Sequence, residues 1–243
     1  MLASIASPAM TIPQFQNNSQ KKIAMGGWLS SHAFQVFLVI YGLWVFIPFL
    51  APVFMNIGWT GPGRAIYVLY SFFCHQLPER SLFFFGEKSM YSLGEIQAAW
   101  FETANPMVLR RFIGDDSLGW KVAWSDRMIS FYTSIWLFAL LGYRFRHAIR
   151  SLSWRGLGLL LLPILVDGGT HAISDLAGIG QGFRDTNSWL AAWTGGFLHD
   201  SFYQGDALGS FNSIMRLVTG VLAGLGIAWA VFPFFFHARD KHT

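Results

Sequence analysis

Ala65-Ile-Tyr-Val-Leu-Tyr-Ser-Phe-Phe-Cys-His-Gln-Leu-Pro-Glu-Arg-Ser81 runs from an uninterrupted apolar stretch into a polar cluster that holds the only cysteine of the chain. The apolar part reads as a membrane helix that begins near Pro62, a favoured first-turn residue, and ends at Leu77. Pro78 cannot continue it and moves Leu77 out of helical geometry. On such a helix Ser71 and His75, four apart, share a face beside Cys74. At ~1.5 Å per residue this helix is short for a bilayer, so its polar end is expected close to the headgroups.

The rest of the chain fits that setting. Of its 243 residues 53% are hydrophobic and only 12% charged, half of what a soluble domain carries, with 24 Phe and 11 Trp. Further apolar stretches cover Ala33 to Met55, Asp126 to Tyr143, Gly156 to Ala177 and Asn212 to Phe236. The sequence therefore predicts an all-α, polytopic membrane helix bundle of about five spanning helices with short interfacial helices. Residues 1–32, rich in Ser, Pro, Gln and Asn, are expected to form a mobile N-terminal tail, 33–237 the membrane domain and 238–243 a C-terminal tail. Within the membrane domain, 78–124 is expected to be an extracytoplasmic cap, and Ser92 with Glu95 has the spacing of a capping box. Residues 187–204 read as a half-helix or interfacial helix.

Four arginines in twelve residues, Arg144, Arg146, Arg150 and Arg155, mark a cytoplasmic loop. Five spans counted from it place the C-terminus in the cytoplasm, the N-terminus outside and the cap outside, in a multi-pass protein of the cell membrane. No stretch interleaves basic and aromatic residues as a nucleic-acid surface would, so no nucleic-acid partner is expected. A lone cysteine excludes an intrachain disulfide and a multi-thiolate zinc site. Membrane lipids, and protein partner subunits, are the expected partners.

Under this topology the polar residues of the apolar stretches gather at one face. Arg127 and Arg216 must be paired or face water, and Asp126 and Asp167 are their obvious partners. An arginine can also bind a lipid phosphate with two parallel hydrogen bonds. Asp167, His171 and Asp175 follow one another at helical four-residue spacing, and with His75 they make a ligand set suited to Zn²⁺ or another divalent metal. Cys74 and His75 with Asp167 and His171 are the catalytic candidates, His171 being the base that Cys74 would need. Ser71, Glu79, Arg80, Asp126, Arg127, Asn187 and Arg216 are candidate binding residues. Glu79 and Arg80 also read as a local ion pair at the turn. Structural pairing, metal binding and thiol chemistry all remain open at this level.

Cys74-His-Gln-x-Pro-Glu-Arg-Ser81, Gly119-Trp-Lys-Val-Ala-Trp-Ser-Asp-Arg127, Asp167-Gly-Gly-Thr170 and the later Arg-Asp-Thr-Asn187 together resemble a family of small prokaryotic membrane proteins catalogued as a domain of unknown function. The resemblance runs over most of the chain from Pro62 onward. It implies an architecture and no reaction. Members usually carry Cys near the position of Ser125 and often Gln at that of His171, so this chain lacks the second thiol. The Ser-x-x-x-His and Asp-x-x-x-His spacings also loosely resemble the ceramidase-like membrane hydrolases, in which zinc activates water. This chain lacks their C-terminal His-x-x-x-His. Two functional classes follow: a hydrolase-like enzyme acting on lipid-like substrates at the outer face, or a non-catalytic subunit or assembly factor of a larger membrane complex.

Overall fold

The computed structural model describes residues 32–145 and 149–240, with side chains to Pro233. The expected N-terminal tail before His32 and the last residues of the expected C-terminal tail lie outside the described residues. Among the described residues three helices are long and apolar enough to cross a membrane: His32–Asn56 (α1), Trp154–Asp175 and Phe211–Pro233.

Helix α1 tightens into a 3-10 turn at Ile47–Phe49, where Pro48 removes an amide donor, and resumes at Leu50–Asn56. The chain reverses at Gly58 (φ 81°) into helix α2, Thr60–Tyr70. The two pack closely because Gly63 has no side chain: a Cβ there would lie 2.7 Å from Met55 Sδ. The helix expected to run to Leu77 ends at Tyr70. Eleven residues reach only ~16 Å, too short to cross a bilayer. Beyond Tyr70 the chain turns, Gln76 takes a left-handed conformation (φ 54°) and Leu77 is extended before Pro78. Ser71 and His75 therefore do not share a helical face.

The all-α expectation also needs correction. Ser81–Phe84 (β1), Gly114–Asp115 (β2) and Gly119–Ser125 (β3) form a small antiparallel sheet in the order β1-β3-β2. Ser81 faces Ser125 and Phe83 faces Lys121 across it. Most of β3 is buried, so its sequence lacks the polar alternation that marks a half-exposed strand. Between the strands lie Leu93–Ala99 (α3), opened by the predicted capping box of Ser92 and Glu95, and Pro106–Leu109 (α4). Trp124, fully buried, joins cap to bundle: its ring lies 5.1, 4.9 and 5.0 Å from those of Trp44, Tyr70 and Tyr132, and its Nε1 donates to Val45 O at 3.2 Å.

Asp126–Arg144 forms α5, Trp154–Asp175 α6, Phe183–Thr186 α7, Ser188–Thr194 α8, Asp200–Tyr203 α9 and Phe211–Asp240 α10. The 19 residues of α5 give ~28 Å, close to a bilayer core, although charged residues at both ends reduce its hydropathy. Helices α5 and α10 meet through small residues, which let backbones approach where no hydrophobic force distinguishes helix from lipid. A Cβ on Gly220 would sit 2.0 Å from Ser130 Oγ, and one on Gly224 2.6 Å from Ser134 Cβ. Helix α6 leans on α10 near Gly226 and leaves Leu159, Leu165, Ile173 and Leu176 exposed, as a lipid-facing helix does. At its start α1 meets the far ends of α5 and α10: Phe34 lies 5.2 Å from Tyr143 and 5.4 Å from Phe232. The first described residues thus lie at the same end of the bundle as the Arg-rich loop and the end of α10.

Candidate functional site

At the other end of the bundle, where α5 and α10 begin and α6 ends, buried charges interlock. Arg80, at the turn before β1, places Nη1 and Nη2 on the two oxygens of Asp175 at 2.7 Å each. Its Nε donates to Asp206 Oδ2, also at 2.7 Å. Asp206 in turn bonds Arg216 through Oδ1 and accepts again at its backbone carbonyl (2.7 Å). Arg216 closes on Asp126 with Nε at 2.8 and 2.9 Å from the two oxygens, and Ser213 Oγ adds a bond to the same carboxylate. A second chain runs Arg127, Asp167, Arg184, with contacts of 2.8 and 2.7 Å to the two oxygens of Asp167. Four aspartates and four arginines thus neutralise one another. Such pairing is the condition for charge at this depth, because an isolated buried ion is strongly destabilising.

The elements explain the arrangement. Asp126 and Arg127 open α5, Asp167 and Asp175 lie eight apart on one face of α6, and Arg216 stands just inside α10. Asp206 sits in the loop after α9, and Arg184 reaches in from α7. Gly182 lets that segment press against the end of α6: a Cβ would lie 2.0 Å from Ser174 Oγ, which accepts from Arg184 N at 3.0 Å. Asn187 (φ 42°) donates from Nδ2 to Arg184 O and Tyr203 O and meets Asn212 Oδ1 at 3.2 Å. Asn212 also accepts from Arg184 Nε. Burial opposes ionisation of Asp206, but the Arg80 and Arg216 guanidiniums outweigh it and hold its carboxyl well below the usual carboxylate range.

Of the residues singled out in the sequence, Arg80, Asp126, Arg127, Asp167, Asp175 and Arg216 meet here, and Asn187 braces the lattice from the adjoining loop. Arg127 reaches Asp167 and Arg216 reaches Asp126, two partnerships that the placement of these charges in apolar stretches anticipates. Arg184, Asp206 and Asn212 are not among the sequence candidates. Arg184 opens the Arg-Asp-Thr-Asn187 motif but is marked only through that resemblance, Asp206 lies in a stretch where polar residues are ordinary, and Asn212 stands at the start of the last apolar stretch.

The expected metal set of His75, Asp167, His171 and Asp175 does not gather. Among the described residues no three His, Cys, Asp or Glu side chains come together as a metal-binding group. His75 is exposed, whereas His171 is buried with Nε2 3.1 Å from Arg184 Nη2. Both oxygens of Asp167 and of Asp175 already face guanidinium groups, which take the positions a metal cation would need.

Cys74 stands elsewhere, beneath the end of α2. Its Sγ lies 3.5 Å from Ser125 Oγ and accepts from the amides of Gln76 (3.4 Å) and Ser125 (3.3 Å). Ser71 bonds Val68 O within its own turn. No hydrogen bond joins Cys74 to His171, so the expected nucleophile and base are not paired among the described residues.

Two further buried groups lie in the cap. Lys121 is fully buried and donates Nζ to Gln76 O (2.6 Å) and Arg110 O (2.8 Å); burial pulls its pKa down to about 7. Glu79 is 1% exposed, its nearest cation is Arg80 Nε at 3.9 Å, and neither carboxylate oxygen has a hydrogen-bond partner. Burial pushes its pKa up to about 7 against the pull of Arg80. The ion pair expected at this turn is thus loose, and Arg80 directs its hydrogen bonds to Asp175 and Asp206.

No protein-family model matches the chain, and no solved structure matches it. Over 202 residues it is 25% identical to an uncharacterized protein of Methanocaldococcus jannaschii, a match that covers 79% of this chain and 86% of that protein. The chain is thus similar to an archaeal protein of unassigned role over most of both lengths, as membership of an uncharacterised family would require.

Proposed function

We propose that this chain is a multi-pass membrane protein that carries a rigid, ion-paired cap on the extracytoplasmic side and acts there as a non-catalytic binding or scaffold subunit. The observation that carries this reading is the pairing of the four aspartates at this end of the bundle: Asp126, Asp167, Asp175 and Asp206 are each held by at least one arginine. A hydrolytic site needs a carboxylate or imidazole directed at substrate or water. These groups are directed at each other, across the joints between α5, α6, α10 and the cap.

The orientation follows from the arginines of the 144–155 loop, which favour the cytoplasm. The lattice end then faces outward, and α1, α5, α6 and α10 make four crossings. The start of α1 lies at the cytoplasmic end with the end of α10, which reverses the N-terminal side inferred from five spans. Trp193 and Phe197, 83% and 88% exposed, lie among the short helices of the outer end, where aromatic rings suit the headgroup region.

Metal analysis of the purified protein, with a charge-swap pair, tests the reading. Asp126→Arg and Arg216→Asp are each expected to lose folded protein in detergent, and the double variant to regain part of it. Stoichiometric zinc that disappears in His171→Ala would overturn the scaffold reading in favour of the metallohydrolase.

A further inference from the structure

Beside α2, on the flank of the cap, lies a groove of about 630 Å³ lined by Arg64, Arg110 and Arg111 together with Tyr67, Gln76 and the apolar Val68, Met107 and Ile113. No Asp or Glu is among its lining residues. This contrasts with the lattice, where every arginine faces a carboxylate. Arg64 and Arg111 are exposed at the mouth, and Arg110 is half-buried with Nη2 on Ser71 O at 3.1 Å.

The rear wall is rigid. Gln76, held left-handed, donates Nε2 to Tyr67 O (2.9 Å), while Lys121 Nζ binds the carbonyls of both Gln76 and Arg110. One edge is open and apolar: Val68 and Met107 are 63% and 60% exposed, and the adjacent Leu69 and Phe72 face outward too.

We propose that this groove binds the phosphate headgroup of an anionic phospholipid. Two features together select that occupant. Three guanidiniums without a counter-carboxylate form a phosphate-binding constellation, since each can offer paired N–H donors to phosphate oxygens. The apolar edge gives the acyl chains a surface continuous with the exposed Val68, Leu69 and Phe72, which a free phosphate would leave unused. The same three charges repel the amine of a zwitterionic headgroup, so a headgroup with net negative charge is favoured. The proposal deepens the binding reading above, which puts the cap on the outer side of the membrane, and adds that this flank of the cap lies at the membrane surface. It does not depend on which leaflet that is.

The test is titration of delipidated protein, in a non-ionic maltoside detergent, with dihexanoyl phosphatidylglycerol, followed by native mass spectrometry. Dihexanoyl phosphatidylcholine and inorganic phosphate serve as separate ligands. Phosphatidylglycerol is expected to bind, more weakly as salt rises. The double variant Arg64→Ala with Arg111→Ala is expected to weaken binding by about 10- to 30-fold, as the loss of two interfacial arginines implies. Both side chains are exposed, so the variant should melt with the wild type. Arg144→Ala, at the far end of the bundle, is expected to bind as wild type does. Equal binding of phosphatidylcholine, binding of inorganic phosphate as tight as that of phosphatidylglycerol, or an unaffected double variant would each overturn the proposal. Labelling that puts the cap in the cytoplasm, with phosphatidylglycerol binding intact, would overturn the orientation and leave the groove standing.

Discussion

Asp206→Ala is the most informative single change. The side chain is 2% exposed and joins Arg80 to Arg216, themselves 11% and 2% exposed. Removing one partner of a buried pair is destabilising by about 3–5 kcal/mol. Here each arginine keeps a second carboxylate, Arg80 on Asp175 and Arg216 on Asp126, which points to the lower figure. A loss of about 3 kcal/mol in a chain of this length corresponds to about 6–12 °C in Tm. Intrinsic tryptophan fluorescence during thermal unfolding in detergent reads it directly, because Trp124 is fully buried near the cap. Asp206→Asn keeps the shape and one acceptor and should fall between wild type and Ala. The Asp206 carboxyl is held below its ordinary value of 3.8, so its contribution is present above that value and is lost as pH falls below it. The difference between wild type and variant should therefore shrink as pH falls below that value. An Asp206→Ala protein melting within ~2 °C of wild type, less than 1 kcal/mol on the same scale, would refute the lattice as a source of stability.

Three other outcomes follow. Asp167→Ala leaves Arg127 and Arg184 without their shared carboxylate and should also be destabilising by about 3–5 kcal/mol, read as Tm in detergent. Glu79 holds its proton to about pH 7 when folded, against 4.5 ordinarily, so its contribution is retained below the lower value and lost as pH rises through the higher. Glu79→Gln should therefore match wild type near pH 4.5 and exceed it by about 3 kcal/mol well above pH 7; a pH-independent difference would count against a buried, unpartnered carboxylate. Gly220→Leu should separate α5 from α10, since even a Cβ there meets Ser130 Oγ, and should lower Tm more than Gly169→Leu, where a Cβ meets open space.

The pairing of Arg127 with Asp167 and of Arg216 with Asp126 was legible because a charge inside an apolar stretch has few ways to be satisfied. The capping box at Ser92 was legible because its two reciprocal bonds depend on local spacing alone. The sheet was hidden by its burial: Val122, Ala123 and Trp124 are all enclosed, so they read as an apolar run without period. The stop of α2 was hidden because Tyr70 and Phe73 are equally apolar, while the helix ends through a turn fixed by Gln76 and by the backbone bond from Cys74 N to Tyr70 O. That segment, expected as a full span, is only the eleven residues of α2. Arg184 and Asp206 lie in the segments between the long helices, where their charge is unexceptional until the fold buries them.

The most direct test of the account is the sidedness of the ion-paired cap. In a Cys74→Ala background, single cysteines at Ser117, exposed on the cap, and at Arg150, exposed in the Arg-rich loop, are reacted in intact cells with a membrane-impermeant maleimide. Ser117→Cys is expected to be labelled in intact cells and Arg150→Cys only after permeabilisation. Labelling of Arg150→Cys in intact cells, with Ser117→Cys protected, would contradict it.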